Sequence, residues 1–164
     1  MLKKILFNLL FFLLFTPVFS KEINGTATVI DGDTLKINHE KIRLFGIDSP
    51  EIKQKCRKPY LKIVFFTFSK NYDCGVVSKL KLKQYVNKKN VKCVFNSRDR
   101  YNRLIADCYI NEKNINSWMV KNGYAVAYKR YSKKYIFDEE YAQKNKLGIW
   151  EGSFVEPEIW RKNR

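Results

Sequence analysis

Three short stretches of the 164-residue chain gather side chains able to act together on a phosphate. The first is Asp31-Gly32-Asp33-Thr34. The second is Arg43-Leu44-Phe45-Gly46-Ile47-Asp48-Ser49-Pro50-Glu51. The third is Asp99-Arg100-Tyr101-Asn102-Arg103. Acids and arginines here fall at turns and strand ends, and Pro50 fixes the backbone where Asp48 and Glu51 project. Carboxylate oxygens presented from turns suit a hard cation such as calcium. A cation held by few protein ligands keeps positions for water and for a phosphoryl oxygen, which it polarises. Paired arginines grip the remaining oxygens and set positive charge where negative charge builds at phosphorus. A further carboxylate orders or deprotonates the attacking water. Each stretch alone is also ordinary turn and surface ion-pair chemistry. His39, the single histidine, sits in the turn Asn38-His39-Glu40, which leaves histidine out of the chemistry.

The elements that position these stretches follow from periodicity. Ile23 to Phe45 alternates as a strand meander, with turns at Asp31-Gly32-Asp33 and Asn38-His39-Glu40. Residues 52–74 form a long connection whose apolar run, Ile63 to Phe68, is either an extra strand or a lip over a cleft. Val76 to Lys88 has helical spacing, with Val76, Leu80 and Tyr85 facing inward and lysines outward. Val91 to Ile110 reads as a hairpin about the Arg100–Tyr101 bond. In that register Cys93 faces Cys108, Phe95 faces Ala106 and Val91 faces Ile110. Directly opposed strand residues lie close enough for a disulfide. Cys93 is therefore paired with Cys108, and Cys56 with Cys74. Asn114 to Lys121 predicts a helix stopped by Gly123, and residues 135–147 a last helix ended by Gly148. Between them lies a basic aromatic stretch, Tyr124, Tyr128, Lys129, Arg130 and Tyr131. Five strands with interleaved helices fit a partly open barrel of the oligonucleotide-binding type.

The ends and the charge narrow the setting. Lys3 and Lys4, the apolar run Ile5 to Phe15 and Val18-Phe19-Ser20 have the layout of a secretory signal peptide cleaved after Ser20. The run falls short of the ~20 residues that span a bilayer. Residues 1–20 hold two lysines and no acid, so residues 21–164 keep 30 basic and 16 acidic residues, a net +14. That excess favours a polyanion, whether nucleic acid, an anionic membrane or a cell-wall polymer, because neutralised phosphates release counterions. Four cysteines in an exported chain predict two disulfides. No CxxC spacing points to zinc or redox work.

Taken in order, Val29-Ile30-Asp31-Gly32-Asp33-Thr34, Arg43-Leu44, Gly46-Ile47-Asp48-Ser49-Pro50-Glu51, Tyr101-Asn102-Arg103-Leu104 and Gly148-Ile149-Trp150 resemble the staphylococcal nuclease (thermonuclease) family, from about Asn24 to Trp150. The resemblance implies an α+β fold, a five-stranded OB-fold barrel with three helices, in a single domain over residues 21–164. It implies a calcium-dependent nuclease acting on DNA or RNA. Asp33 and Asp48 would bind calcium through their carboxylates and Ser49 through its backbone carbonyl. Glu51 would deprotonate or position the water nucleophile. Arg43 and Arg103 would hold the scissile phosphate, with Asp31 in support. Tyr128 and Tyr131, aligned across a gap, are counterparts of tyrosines that flank a bound nucleotide, with core or surface aromatics as the other reading, and Arg100 joins them as a substrate-binding residue. The protein would be a secreted or periplasmic monomer, without stable membrane association once the leader is removed. Two features depart from the family pattern. Asn102 stands where glycine is usual, a change a left-handed turn tolerates, and residues 52–74 are longer and more aromatic. A non-catalytic nucleic-acid-binding barrel of the envelope is the alternative. The intact set Asp33, Arg43, Asp48, Glu51 and Arg103 argues against it.

Overall fold

The computed structural model describes residues 21–163, so the expected leader lies outside the described residues. Strand β1 (Lys21–Asp31) runs antiparallel to β2 (Thr34–Ile37), which turns at Asn38-His39 into β3 (Glu40–Leu44). Val29, Leu35, Ile37, Ile42 and Leu44 are buried in this meander, while Lys36 and Lys41 are exposed. That alternation sets one face of each strand toward the core. On its other side β1 pairs with β7 (Asn90–Arg98), β7 pairs with β8 (Leu104–Ile110), and β8 returns parallel to β3, with Ile42 opposite Leu104. The ring β3-β2-β1-β7-β8 is therefore a closed mixed barrel of five strands, the OB-type α+β architecture read from the sequence. The short strand β9 (Lys113–Asn114) extends β8, and β4 (Ile47–Asp48) pairs with β10 (Val126–Ala127) outside the barrel.

Buried Asn116 secures the barrel seam. Its amide nitrogen donates to the carbonyls of Phe45 (3.0 Å) and Ala106 (3.1 Å), and its oxygen accepts from the Cys108 N–H (3.1 Å). It thereby satisfies backbone groups where β3 leaves the barrel beside β8.

Helix α1 (Cys74–Val86) spans the predicted segment but turns a different face inward. Cys74, Gly75, Ser78, Leu82 and Val86 are buried, whereas Val76 and Leu80 are exposed and Tyr85 is half-buried against Trp118. The small residues decide this. A Cβ on Gly75 would stand 1.8 Å from the carbonyl oxygen of Glu51, so the helix approaches backbone to backbone at its first turn. Leu82 and Val86 follow on the same face at helical spacing. Helix α2 (Ile115–Lys121) is capped by Asn114, whose side chain accepts from the Ser117 N–H, and stops at Gly123 as expected. Helix α3 (Ile136–Lys144) is shorter than residues 135–147 and is followed by a 3₁₀ turn at Gly148–Glu151. A further helix, α4 (Pro157–Lys162), has no counterpart in the three expected helices.

The 52–74 connection resolves as an antiparallel hairpin, β5 (Cys56–Ile63) with β6 (Phe66–Tyr72). Both expected disulfides are present. Cys56–Cys74 closes the base of that hairpin with Cα atoms 5.6 Å apart, and Cys93–Cys108 links facing residues of β7 and β8 at 4.1 Å. The predicted β7–β8 register holds at Cys93–Cys108 and Phe95–Ala106. It then slips by one residue at a bulge beyond Phe95, so that Ser97 faces Ile105.

Each bridge closes a short loop, and loop closure of that size limits the unfolded chain by about 3 kcal/mol. Replacing Cys93 and Cys108 together by serine is expected to cost about 2–4 kcal/mol in urea denaturation. The reducing agent that opens the wild-type bridges should then have a smaller effect on the variant than on the parent.

Candidate active site

At one end of the barrel Thr34 opens β2 opposite Arg43 on β3, and Arg43 faces Ile105 on β8. This row brings the first two catalytic stretches to one spot, with Arg103 two residues before Ile105. Arg43 lies at its centre. Its guanidinium pairs with Asp33 Oδ1 and, through Nη2, with Asp48 Oδ1 at 2.9 Å. Asp48 is only 1% exposed, and β4–β10 pairing fixes it opposite Val126. Asp33 also accepts the Ser49 N–H at 2.7 Å and the Thr34 hydroxyl at 3.3 Å. The turn leading into Asp33 is an Asx turn, in which Asp31 Oδ1 accepts the Asp33 N–H at 3.0 Å. Gly32 is needed for space, because a Cβ there would meet Ser78 Oγ at 2.2 Å and Ser49 Oγ at 2.6 Å.

Arg103 approaches from the third stretch. Its Nε and Nη2 both hold Asp99 Oδ2 at 2.7 Å, and Nη1 reaches Thr34 Oγ1 at 3.5 Å. Asp99 keeps the turn in shape by accepting the N–H groups of Tyr101 and Arg103, each at 2.9 Å. Asn102 takes the left-handed conformation at φ 62°, as its substitution for glycine requires.

Glu51 joins the cluster through a residue absent from the sequence-derived set. Arg161, on α4, donates to Asp48 Oδ1 (3.0 Å) and Oδ2 (2.9 Å) and to Glu51 Oε1 (2.8 Å). Pro157 at the first turn, after Glu156, marks the start of this short helix. Nothing in that signal links Arg161 to Asp48, 113 positions away. Buried Gln54 ties the Glu51 turn to the same C-terminal segment. Its Oε1 accepts the Glu51 N–H (3.2 Å), and its Nε2 donates to the Val155 carbonyl (2.6 Å).

The predicted substrate residues divide. Tyr128 follows β10, donates its N–H to the Gly46 carbonyl (2.9 Å) and lines a cleft of about 90 Å³ beside Asp48. Tyr131 stands edge-on to it, ring centroids 4.7 Å apart, and is largely exposed. Arg100 is not drawn into the cluster. It lies over the Tyr101 ring, 4.8 Å from its centroid, on the exposed side of the turn.

Crowding of charge tunes the acids unequally. Burial pushes the Asp33 carboxyl up, but Arg43 and the Ser49 N–H outweigh it and hold Asp33 below the usual range. Asp48 is raised by burial, against the opposing pull of Arg161. Asp31 is pushed up to about 6, first by burial and then by the adjacent Asp33 charge. Burial disfavours the Arg43 charge, yet Asp33, Asp48 and Asp31 raise its pKa. Asp33 and Asp48 both pair with the Arg43 guanidinium, and hard oxygen donors of this kind suit calcium. Among the described residues no group of three His, Cys, Asp or Glu side chains could hold a metal. A cation here would take two carboxylates and complete its shell with carbonyl oxygen and water.

Residues 41–152 match the family model described as staphylococcal nuclease homologue. The chain belongs to the staphylococcal nuclease family. Within this family, an uncharacterized endonuclease of Haemophilus influenzae is 37% identical over 153 residues, covering 87% of this chain and 76% of its own length. An uncharacterized endonuclease of Escherichia coli O157:H7 is 30% identical over 165 residues, covering 95% and 96%. The succinoglycan biosynthesis protein ExoI of Rhizobium meliloti is 32% identical over 134 residues, which cover 80% of this chain and 66% of that protein.

A folded-state pKa above the ordinary carboxylate value means that the native protein holds the Asp31 proton more tightly than the unfolded chain. Stability is then lost as pH rises from the ordinary 3.8 through about 6. Asp31→Asn keeps the Asx-turn acceptor and removes the charge. It is expected to stabilise the protein by about 1–3 kcal/mol at neutral pH and to have little effect below pH ~4, measured by urea denaturation across that range.

Proposed function

We propose that this chain is a calcium-dependent nuclease that hydrolyses phosphodiester bonds of DNA or RNA. The observation carrying this reading is the convergence of Asp33, Arg43, Asp48 and, through Arg161, Glu51, from strand ends and the turns beside them, into one ion-paired cluster at the barrel end. Asp33 and Asp48 would hold the ion through their carboxylates and Ser49 through its backbone carbonyl. When bound, calcium supplies Lewis-acid polarisation of a phosphoryl oxygen. Arg43 and Arg103 grip the scissile phosphate and stabilise charge as it grows on the equatorial oxygens. Arg103 has its spare Nη1 directed at Thr34, toward the cluster, while Asp99 holds its other nitrogens. Glu51 orders the attacking water or takes its proton. Its side chain is 38% exposed, so water reaches it. Tyr128 and Tyr131 offer ring faces to a base next to the cleaved bond. Asp31 supports the Asp33 turn.

Two disulfides suit an oxidising compartment. With the export signal read over residues 1–20, they support a secreted or periplasmic protein. The endonuclease names of the Haemophilus and Escherichia relatives support the activity.

The exported protein should degrade single-stranded DNA or RNA with calcium and stop when a chelator is added. Glu51→Gln and Arg103→Ala should each lower the rate by about 10²–10⁴-fold with the fold intact by circular dichroism. Nucleic-acid binding without cleavage would leave the non-catalytic barrel as the correct reading. Arg161 engages both oxygens of Asp48 and so competes with a cation for them. Arg161→Gln is expected to tighten calcium binding roughly tenfold by isothermal titration, since it removes a like charge from the seat. Equal affinities in the two proteins would refute that competition.

A further inference from the structure

Beyond its base, where Cys56 and Tyr72 pack into a small buried cluster, the β5–β6 hairpin leaves its apolar side chains exposed. At its tip Val64, Phe65 and Phe66 are 77%, 93% and 70% exposed. Among the described residues its strands pair only with each other, apart from one Arg57–Ser153 bridge at the base. The Cys56–Cys74 disulfide holds that base to the start of α1.

Register sorts the side chains by face. Cross-strand partners share a face, and so do residues two apart along a strand. Leu61 faces Phe68 and Ile63 faces Phe66, while Lys62 faces Thr67 on the reverse. Two residues along from Phe68, toward the body, Lys70 faces Lys58. Four apolar side chains thus run outward from a pair of lysines on one face, with the exposed Val64-Phe65 turn beyond them. An unpartnered apolar patch of this kind marks an interaction surface.

Charge selects the occupant. A second copy would bring two Lys58–Lys70 pairs together on chains whose residues 21–164 carry a net +14, which repel. Pro59 and the flanking lysines also obstruct edge-to-edge strand pairing. A nucleic-acid strand would use the lysines and phenylalanines but leave Leu61, Ile63 and Val64 in water. An anionic lipid surface uses every part, with the tip in the acyl boundary and the lysines among headgroup phosphates.

We propose that the β5–β6 hairpin is a docking wedge that binds anionic phospholipid membranes reversibly. The contact is peripheral and distinct from an anchor, for among the described residues no helix is long and apolar enough to cross a membrane. It is independent of the nuclease reading, since lipid binding needs neither Arg43 nor Glu51.

The test is co-sedimentation of the exported protein with phosphatidylcholine vesicles, alone or mixed with phosphatidylglycerol. Wild type should bind the mixed vesicles and lose binding as salt rises. Phe65→Ser/Phe66→Ser should weaken binding by about tenfold or more, and Lys58→Gln/Lys70→Gln by about fivefold per lysine. Every variant carries the same N-terminus, so the difference reports the hairpin alone. As a second probe, the added indole of Phe65→Trp should shift to shorter emission wavelength with mixed vesicles. Equal vesicle binding by wild type and the tip variant, or no shift for Phe65→Trp, would overturn the proposal. A dimer or an oligonucleotide complex lost in the tip variant, with no vesicle binding by wild type, would also overturn it.

Discussion

Arg43 is a charged side chain placed almost entirely out of water, and two buried carboxylates are what make that tolerable. Taking the guanidinium from water is costly, and attraction to Asp33 and Asp48 offsets the cost only because both acids are fixed by other bonds. Asp33 is held by the Ser49 N–H and Asp48 by the β4–β10 ladder. Removing one member would leave a buried charge uncompensated, a loss of about 3–5 kcal/mol. On the proposed function, the same arrangement would receive a doubly charged ion and a phosphate.

Backbone closeness makes this balance possible. Gly32 lets the Asp31–Asp33 turn settle against Ser49 and Ser78, and Gly75 lets α1 touch the Glu51 turn. Ser78 in turn donates to the Tyr124 carbonyl at 2.6 Å, so α1 is tied to the segment that leads to Tyr128. The cluster is thus gripped from the barrel, from α1 and from the C-terminal α4. The barrel and α1 grips use glycine or serine where a larger residue would force the elements apart, whereas α4 reaches in with the long Arg161 side chain.

Local rules made much of this legible. Alternation fixed the meander, facing positions paired the cysteines, and Asn102 was read as able to turn left-handed. The convergence of Asp33, Arg43, Asp48 and Glu51 was legible from their types and order. Three things were not. The inward face of α1 depends on how near Gly75 comes to Glu51, a tertiary distance that outweighs apolar spacing. The bulge in β7 depends on a one-residue slip that no composition signal marks. Arg161 reaches Asp48 only because α4 folds back across the molecule, and long-range ion pairs leave no local trace. Arg100 stays outside the ion-paired cluster, over the Tyr101 ring that Arg103 also flanks.

The parallel seam between β3 and β8 has a consequence for how the protein comes into being. Ile42 meets Leu104 only after the intervening chain has been threaded into place, whereas the two strands joined by Cys93 and Cys108 are near neighbours. Non-local pairings of this kind form late, because a long loop must be closed before they repay its entropy. Arg43 and Arg103 stand on opposite sides of that seam. A chain that has not yet closed this seam therefore holds Arg103 apart from Arg43 and its acids.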